Sequence, residues 1–204
     1  MTKPVFINKK IKNFNKKITI SGDKSLSIRW ALIASQATGK SKAYNLLNSE
    51  DVLSAIKCLK KLGTKISLKK SYCEITGNGL NSFFFKRNLT LNAGNSGTLG
   101  RLILGLLIHY PHKVKLVGDK SLSKRDFSRV INPLKNFGAN FYQSKKSSLP
   151  LYIQGTKYVR PIKYYENRGS AQCKSSVMLA ALNTPGKTFI KAKKSRDHTE
   201  ILFK

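Results

Sequence analysis

The sequence predicts an α/β (α+β) protein made of three copies of one unit, with helices buried inside and the third copy incomplete. Three observations carry that reading. The hexapeptide Gly-Asp-Lys-Ser-Leu-Ser occurs at 22–27 and again at 118–123, a repetition that chance does not produce in 204 residues. Three runs start at a serine, carry a basic residue about one turn inside and continue largely apolar: Ser25 through Arg29 to Ala37, Ser96 through Arg101 to Ile108, and Ser170 through Lys174 to Leu182. Three further stretches open at an aspartate: DVLSAIKCLKKLGTKI at Asp51, DFSRVINPLKNFGANF at Asp126 and DHTEILFK at Asp197.

Each element follows from its local pattern. Serine is a favoured N-cap, and a helix apolar on most faces is a buried one. The first serine-led helix is expected to end at Gly39, read as its C-cap, and the third at Pro185-Gly186. The aspartate-led stretches read as half-exposed amphipathic helices. Two of them close at Gly63 and Gly138, the residue type that tolerates a left-handed backbone. Strands are expected at Lys65–Leu68, Tyr72–Thr76, Val114–Val117, Asn140–Gln143, Leu151–Gln154 and Thr188–Lys191. The unit is therefore buried helix, strand, amphipathic helix, strands, repeating about every 70–75 residues. The third copy stops inside its amphipathic helix, so a truncated chain is expected.

Composition narrows the function. The longest apolar run, Leu102 to Ile108, falls well short of the ~18 residues of a membrane span, and the first residues lack an apolar signal core. A cytoplasmic protein is expected. Cys58, Cys73 and Cys173 form no CxxC pair, and Pro111 breaks the one metal-like gap, between His109 and His112. The charge of +30, from 39 basic and 9 acidic residues, raises nucleic-acid binding. The lysines, however, are scattered and not interleaved with aromatics as a single-strand platform would be. A positive field also attracts a small anionic substrate.

Three helix starts carry glycine and polar side chains: GDKS at 22–25, GNSGT at 94–98 and GSAQ at 169–172. A helix start offers free N–H groups and a partial positive charge, and so binds phosphate or carboxylate. Lys24, Arg29, Arg101, Arg125 and Arg196 would add cationic donors nearby. The stretch Ala34–Ser41 looks like a phosphate loop lacking its first glycine, but it follows a helix rather than a strand. Candidate acids are Asp23, Glu50, Asp51, Glu166, Asp197 and Glu200, most of them read as helix-start charges.

Five segments, in order, resemble the EPSP synthases (3-phosphoshikimate 1-carboxyvinyltransferases), of the enolpyruvyl transferase family. They are GDKSLSIRWALIASQATG, AGNSGTLGRL, GDKSLSKRDFSRVINPLKNFGA, GSAQCKSSVMLAAL and SRDHTE. The resemblance implies an inside-out α/β lobe of βαβαββ units (EPT/RTPC-like). It makes this chain the N-terminal half of a protein roughly twice as long. Residues 1–20 would belong to the second lobe, and 21–204 would form the shikimate-3-phosphate lobe, in units of about 21–90, 91–160 and 161–204.

The implied reaction transfers the enolpyruvyl group of phosphoenolpyruvate to the 5-hydroxyl of shikimate 3-phosphate, releasing phosphate, in chorismate and aromatic amino-acid synthesis. It needs no metal or cofactor, and the full-length protein would be a monomer with no nucleic-acid or membrane partner. By motif position, Lys24, Arg125 and Gln172 are the expected catalytic residues. Shikimate 3-phosphate would meet Lys24, Ser25, Arg29, Ser170, Ala171, Gln172 and Arg196. Phosphoenolpyruvate would meet Lys24, Asn95, Ser96, Gly97, Arg125 and Gln172. Further catalytic groups would lie in the second lobe, so the chain alone is expected to be inactive.

Two departures fall beside the expected phosphoenolpyruvate pocket. Arg125-Asp126-Phe127 stands where the family has Arg-Pro-Met, and Leu99-Gly100 stands where it more often has Thr-Met or Ala-Met. Two other readings remain open at this point. One is a UDP-N-acetylglucosamine enolpyruvyl transferase, though Cys73 is not in that family's reactive-loop context. The other is a basic nucleic-acid-binding module.

Overall fold

The structure, a computed structural model, describes residues 6, 8–10, 13, 15–69, 72–143 and 147–204. The chain runs α1 (Lys24–Ala34), β1 (Thr38–Tyr44), α2 (Glu50–Lys61), β2 (Lys65–Leu68) and β3 (Tyr72–Asn78). It continues through β4 (Leu89–Asn92), α3 (Gly97–Leu107), β5 (Lys113–Val117), α4 (Ser128–Asn136), β6 (Asn140–Gln143) and β7 (Leu151–Gln154). It closes with β8 (Lys163–Glu166), α5 (Ala171–Leu182), β9 (Phe189–Ala192) and α6 (His198–Phe203).

Each sheet draws on one stretch of chain. β1, β3 and β2 form an antiparallel sheet in that order. The second sheet runs β4-β5-β7-β6, with β4 parallel to β5 and the other pairs antiparallel. β8 and β9 pair in parallel. The middle stretch, β4-α3-β5-α4-β6-β7, thus has the βαβαββ order in full. The architecture is α+β with helices inside.

α3 is the central helix. Every residue of it except Arg101 is buried, including Leu102, Ile103, Leu104, Leu106 and Leu107. Full burial of each such side chain stabilises by about 1.5–3 kcal/mol. α3 packs against α5 backbone to backbone at Gly105, where a Cβ would lie 2.2 Å from the Ser176 carbonyl oxygen. Ser176 Oγ donates to the Arg101 carbonyl at 2.9 Å and pins the same crossing.

The amphipathic helices behave as their patterns dictate. α2 buries Val52, Ala55, Ile56 and Leu59 and carries Glu50 and Asp51 in its first turn. Gly63 (φ +89°) and Gly138 (φ +112°) take the left-handed backbone just past α2 and α4.

Several expectations are corrected. α1 ends at Ala34 with Ser35 as its C-cap, and Gly39 lies inside β1 rather than capping the helix. Asp23, not Ser25, is the N-cap of α1, its carboxylate accepting from Leu26 N at 2.7 Å. Two residues further back, Asp23 reaches the N–H groups that Ser25, already the second helical residue, cannot. β1, β4 and β8 were not anticipated. Of residues 1–20, expected to serve a second lobe, 1–5, 7, 11, 12 and 14 lie outside the described residues. Residues 15–23 carry no helix or strand. Among the described residues no helix is long and apolar enough to cross a membrane.

Candidate active site

Four separated motifs converge on one cleft of about 440 Å³. It is lined by Lys24, Asn95, Gly97, Arg125 and Gln172, together with Glu50, Asp51 and Thr98. Its size suits a small ligand. Lys24 opens α1, and its Nζ lies 2.9 Å from Asp51 Oδ2 at the start of α2. Arg125 Nη2 donates to Asn95 Oδ1 at 3.2 Å. Gly97 explains how two guanidinium groups flank the start of α3. A Cβ there would meet Arg101 Nη1 at 2.9 Å and Arg125 Nη1 at 3.0 Å. Two cations and a helix start in one place form a ready anion site.

Gln172 enters the cleft with its amide fixed at both ends. Arg101 Nη1 donates to its Oε1 at 3.0 Å, and its Nε2 donates to Thr98 Oγ1 at 3.1 Å. Arg101 also donates to the carbonyls of Gly97 (3.3 Å) and Asp126 (3.1 Å). Its guanidinium sits 4.9 Å from the centre of the Phe127 ring. Burial pushes the Arg101 guanidinium below its ordinary pKa.

The two departures from the family pattern meet each other. A Cβ on Gly100 would lie 3.4 Å from the Phe127 ring, in ordinary van der Waals contact. Asp126 turns to α4: its Oδ1 accepts from Ser128 N at 2.7 Å and its Oδ2 accepts from Ser128 Oγ at 2.6 Å. Those bonds to Ser128 hold its carboxyl below the usual carboxylate value. Its charge is therefore engaged by a helix start.

Arg29 occupies a second, drier cluster. It is 3% exposed. Nε donates to Thr199 Oγ1 (2.9 Å), Nη2 to Ser175 Oγ (3.3 Å) and Nη1 to the Ser25 carbonyl (3.2 Å). Burial, and next the nearby charge of Arg196, push its pKa down from the arginine value. A buried cation held by neutral oxygens is suited to an incoming carboxylate or phosphate.

The other expected residues are placed differently. Ser96 does not line the cleft: it is fully buried, and its Oγ accepts from Leu99 N at 3.2 Å as the cap of α3. Ser170 likewise caps α5 through Cys173 N at 3.3 Å. Ala171 begins that helix, Ser25 offers its carbonyl to Arg29, and Arg196 is exposed just before α6.

Beyond the cleft, Lys174 pairs with Glu200 and, with Lys193, Lys194 and Ser195, borders a neighbouring hollow of about 500 Å³. The Ser195 hydroxyl there is buried without a hydrogen-bond partner among the described residues. Thr98, Ser175 and Thr199 were missed by sequence reasoning, because a hydroxyl carries no signal until its partner is known. Lys174 had a signal, the position one turn inside a serine-capped helix that Arg101 also holds.

With this geometry in view, comparison with known proteins is specific. Residues 8–204 match the family model of EPSP synthase (3-phosphoshikimate 1-carboxyvinyltransferase). A 3-phosphoshikimate 1-carboxyvinyltransferase of Petrotoga mobilis is 41% identical over 195 residues, covering 94% of this chain and 45% of that protein. One of Caldicellulosiruptor saccharolyticus is 42% identical over 190 residues, covering 92% and 43%. The solved EPSP synthase of Acinetobacter baumannii superposes with a TM-score of 0.84 at 34% identity, over 91% of this chain and 42% of that one. The chain thus spans less than half the length of the relatives it matches.

Proposed function

The chain belongs to the EPSP synthase family, and from that premise we propose that it forms the shikimate-3-phosphate side of a 3-phosphoshikimate 1-carboxyvinyltransferase. That membership sets aside both the UDP-N-acetylglucosamine reading and the basic nucleic-acid module. The reaction moves the enolpyruvyl group of phosphoenolpyruvate onto the 5-hydroxyl of shikimate 3-phosphate and releases phosphate. Residues 21–204 act as one lobe of three units, with residues 1–20 assigned to its partner lobe. The protein works in the cytoplasm, without nucleic acid or membrane.

The observation that carries the reading is the single cleft shared by Lys24, Asn95, Gly97, Arg125 and Gln172. Two anionic substrates repel one another, so the protein must hold them together with preorganised positive charge. Arg125, Asn95 and the start of α3 take the phosphoenolpyruvate phosphate. Lys24 stands between the substrates and exchanges Asp51 for them. Gln172, its amide orientation set by Arg101 and Thr98, faces the reacting carbon. Arg29, Ser170, Ala171 and Arg196 take shikimate 3-phosphate, with Arg29 toward the ring carboxylate. Each charge-assisted bond contributes about 1.5–3 kcal/mol.

Calorimetric titration of the chain with shikimate 3-phosphate tests this. Saturable binding, lost in Arg29→Ala, is expected. A folded chain that shows no heat of binding, or one whose binding survives in Arg29→Ala, would overturn the assignment.

A further inference from the structure

The protein has few carboxylates, and most of them cap helices or pair at the surface. Glu166 is the exception. It ends β8, is 4% exposed, and sits about one turn before the start of α5. Its Oε2 accepts from Ser170 N at 2.7 Å, and its Oε1 accepts from Arg129 Nη2 at 2.6 Å and from Arg168 N at 3.3 Å. A buried carboxylate is costly unless its lone pairs are filled, and here three donors fill them.

The bonded groups are not incidental. Ser170 is the N-cap of α5, and Gln172 is the second residue of that helix. Gly169, with φ +69°, turns the chain between Glu166 and the helix, and a Cβ there would lie 3.3 Å from the Lys194 carbonyl. The Glu166 carbonyl accepts from Lys193 N at 2.9 Å, so the loop is tied to β9's exit as well. On the other side, Arg129 belongs to α4, the helix that follows Arg125 and Asp126.

We infer that Glu166 is a positioning residue: its carboxylate, held by Arg129, fixes the Arg168–Ser170 backbone and so presents the Ser170–Gln172 helix start to substrate. This rests on the functional reading above in naming the ligand. It adds a residue that touches no substrate yet sets the geometry of those that do. It also gives Arg129 a carboxylate partner.

The test combines amide hydrogen exchange with calorimetry on the chain, using Glu166→Ala, Glu166→Gln and Arg129→Met. Expected for Glu166→Ala is roughly tenfold faster exchange at Arg168 and Ser170, with Gly97–Leu99 at the start of α3 unchanged, and a roughly tenfold weaker affinity for shikimate 3-phosphate. Glu166→Gln keeps one acceptor and falls between alanine and the parent. Arg129→Met leaves the carboxylate in place and serves if the alanine variant does not fold; it is expected to loosen the same two amides. Unchanged exchange at Arg168 and Ser170 in all three variants overturns the inference. So does loosening that spreads equally to α3, which marks a merely structural residue. If the parent chain binds no shikimate 3-phosphate, the functional reading fails by itself, and the amide readout still decides what Glu166 holds.

Discussion

Arg29 and Arg125 are two cations in separate clusters, built in opposite ways. Arg29 is buried, and its donors are committed to Thr199, Ser175 and the Ser25 carbonyl. Arg125 is exposed and has Asn95 as a side-chain partner across a 3.2 Å bond. The first is part of the frame, tying α1 to α5 and α6; the second is free to reorient on a ligand. The buried cation is fixed by three hydrogen bonds, and the exposed one by a single bond to Asn95.

The sharpest way to break this contrast is Arg29→Ala. Removing three bonds to a charged group, at about 1.5–3 kcal/mol each before relaxation, is expected to lower stability by several kcal/mol. At about 2–4 °C per kcal/mol, the Tm in a thermal scan falls by roughly 10 °C or more. A Tm within 2 °C or so of the parent would show that Arg29 is no more structural than Arg125. Arg125→Ala is expected to do the reverse. Tm stays within about 2 °C, while binding of phosphoenolpyruvate to the chain with shikimate 3-phosphate present weakens about 10- to 150-fold.

A smaller effect is expected in the pH dependence of stability, at Glu166. Burial alone would raise the Glu166 carboxyl, but the Ser170 N–H, the Arg129 guanidinium and the Arg168 N–H outweigh it and hold it below its usual value. A carboxyl depressed in the folded state stabilises fully above its unfolded pKa, about 4.3, and loses that contribution as pH falls through the folded value. Glu166→Gln is therefore expected to flatten the acid side of a Tm-against-pH curve. Equal slopes in variant and parent would contradict it. The smallest effect expected is at Gly100. A methyl there meets Phe127 at an ordinary 3.4 Å, and alanine is about 1 kcal/mol better than glycine inside a helix. Gly100→Ala should raise Tm slightly, and a fall would mean that Phe127 cannot yield.

What was legible in the sequence was what local pattern dictates. The caps Ser96 and Ser170, the stops Gly63 and Gly138, and the apolar faces of α3 and α5 each announce themselves within a turn or two. β1 did not, because Thr38–Tyr44 reads TGKSKAY, mostly exposed and without apolar alternation; its strand character comes from pairing with β3. The first helix misled because Asp23 and Ser25 are both capping residues, and only the chain path selects Asp23. In the site, motif position identified Lys24, Asn95, Gly97, Arg125 and Gln172 as neighbours. It could not supply the partners across the fold: Arg101 reaches Gln172 over 71 positions and Thr98 reaches it over 74. Ser96 was read as a wall residue because a motif does not say which of its side chains is spent on the backbone.

The bond from Arg29 to Thr199 spans 170 positions, whereas every sheet closes among strands that are near neighbours in the chain. Local pairings form early, and distant ones wait, since closing a long loop costs more entropy before any contact rewards it. The three sheets can thus assemble in the order of synthesis, while the hydrogen bonds around Arg29 are completed only when α6 docks. The Arg29–Thr199 bond would then be a mark of finished folding: a molecule that has made its sheets but not seated α6 would look native by strand content and yet lack it.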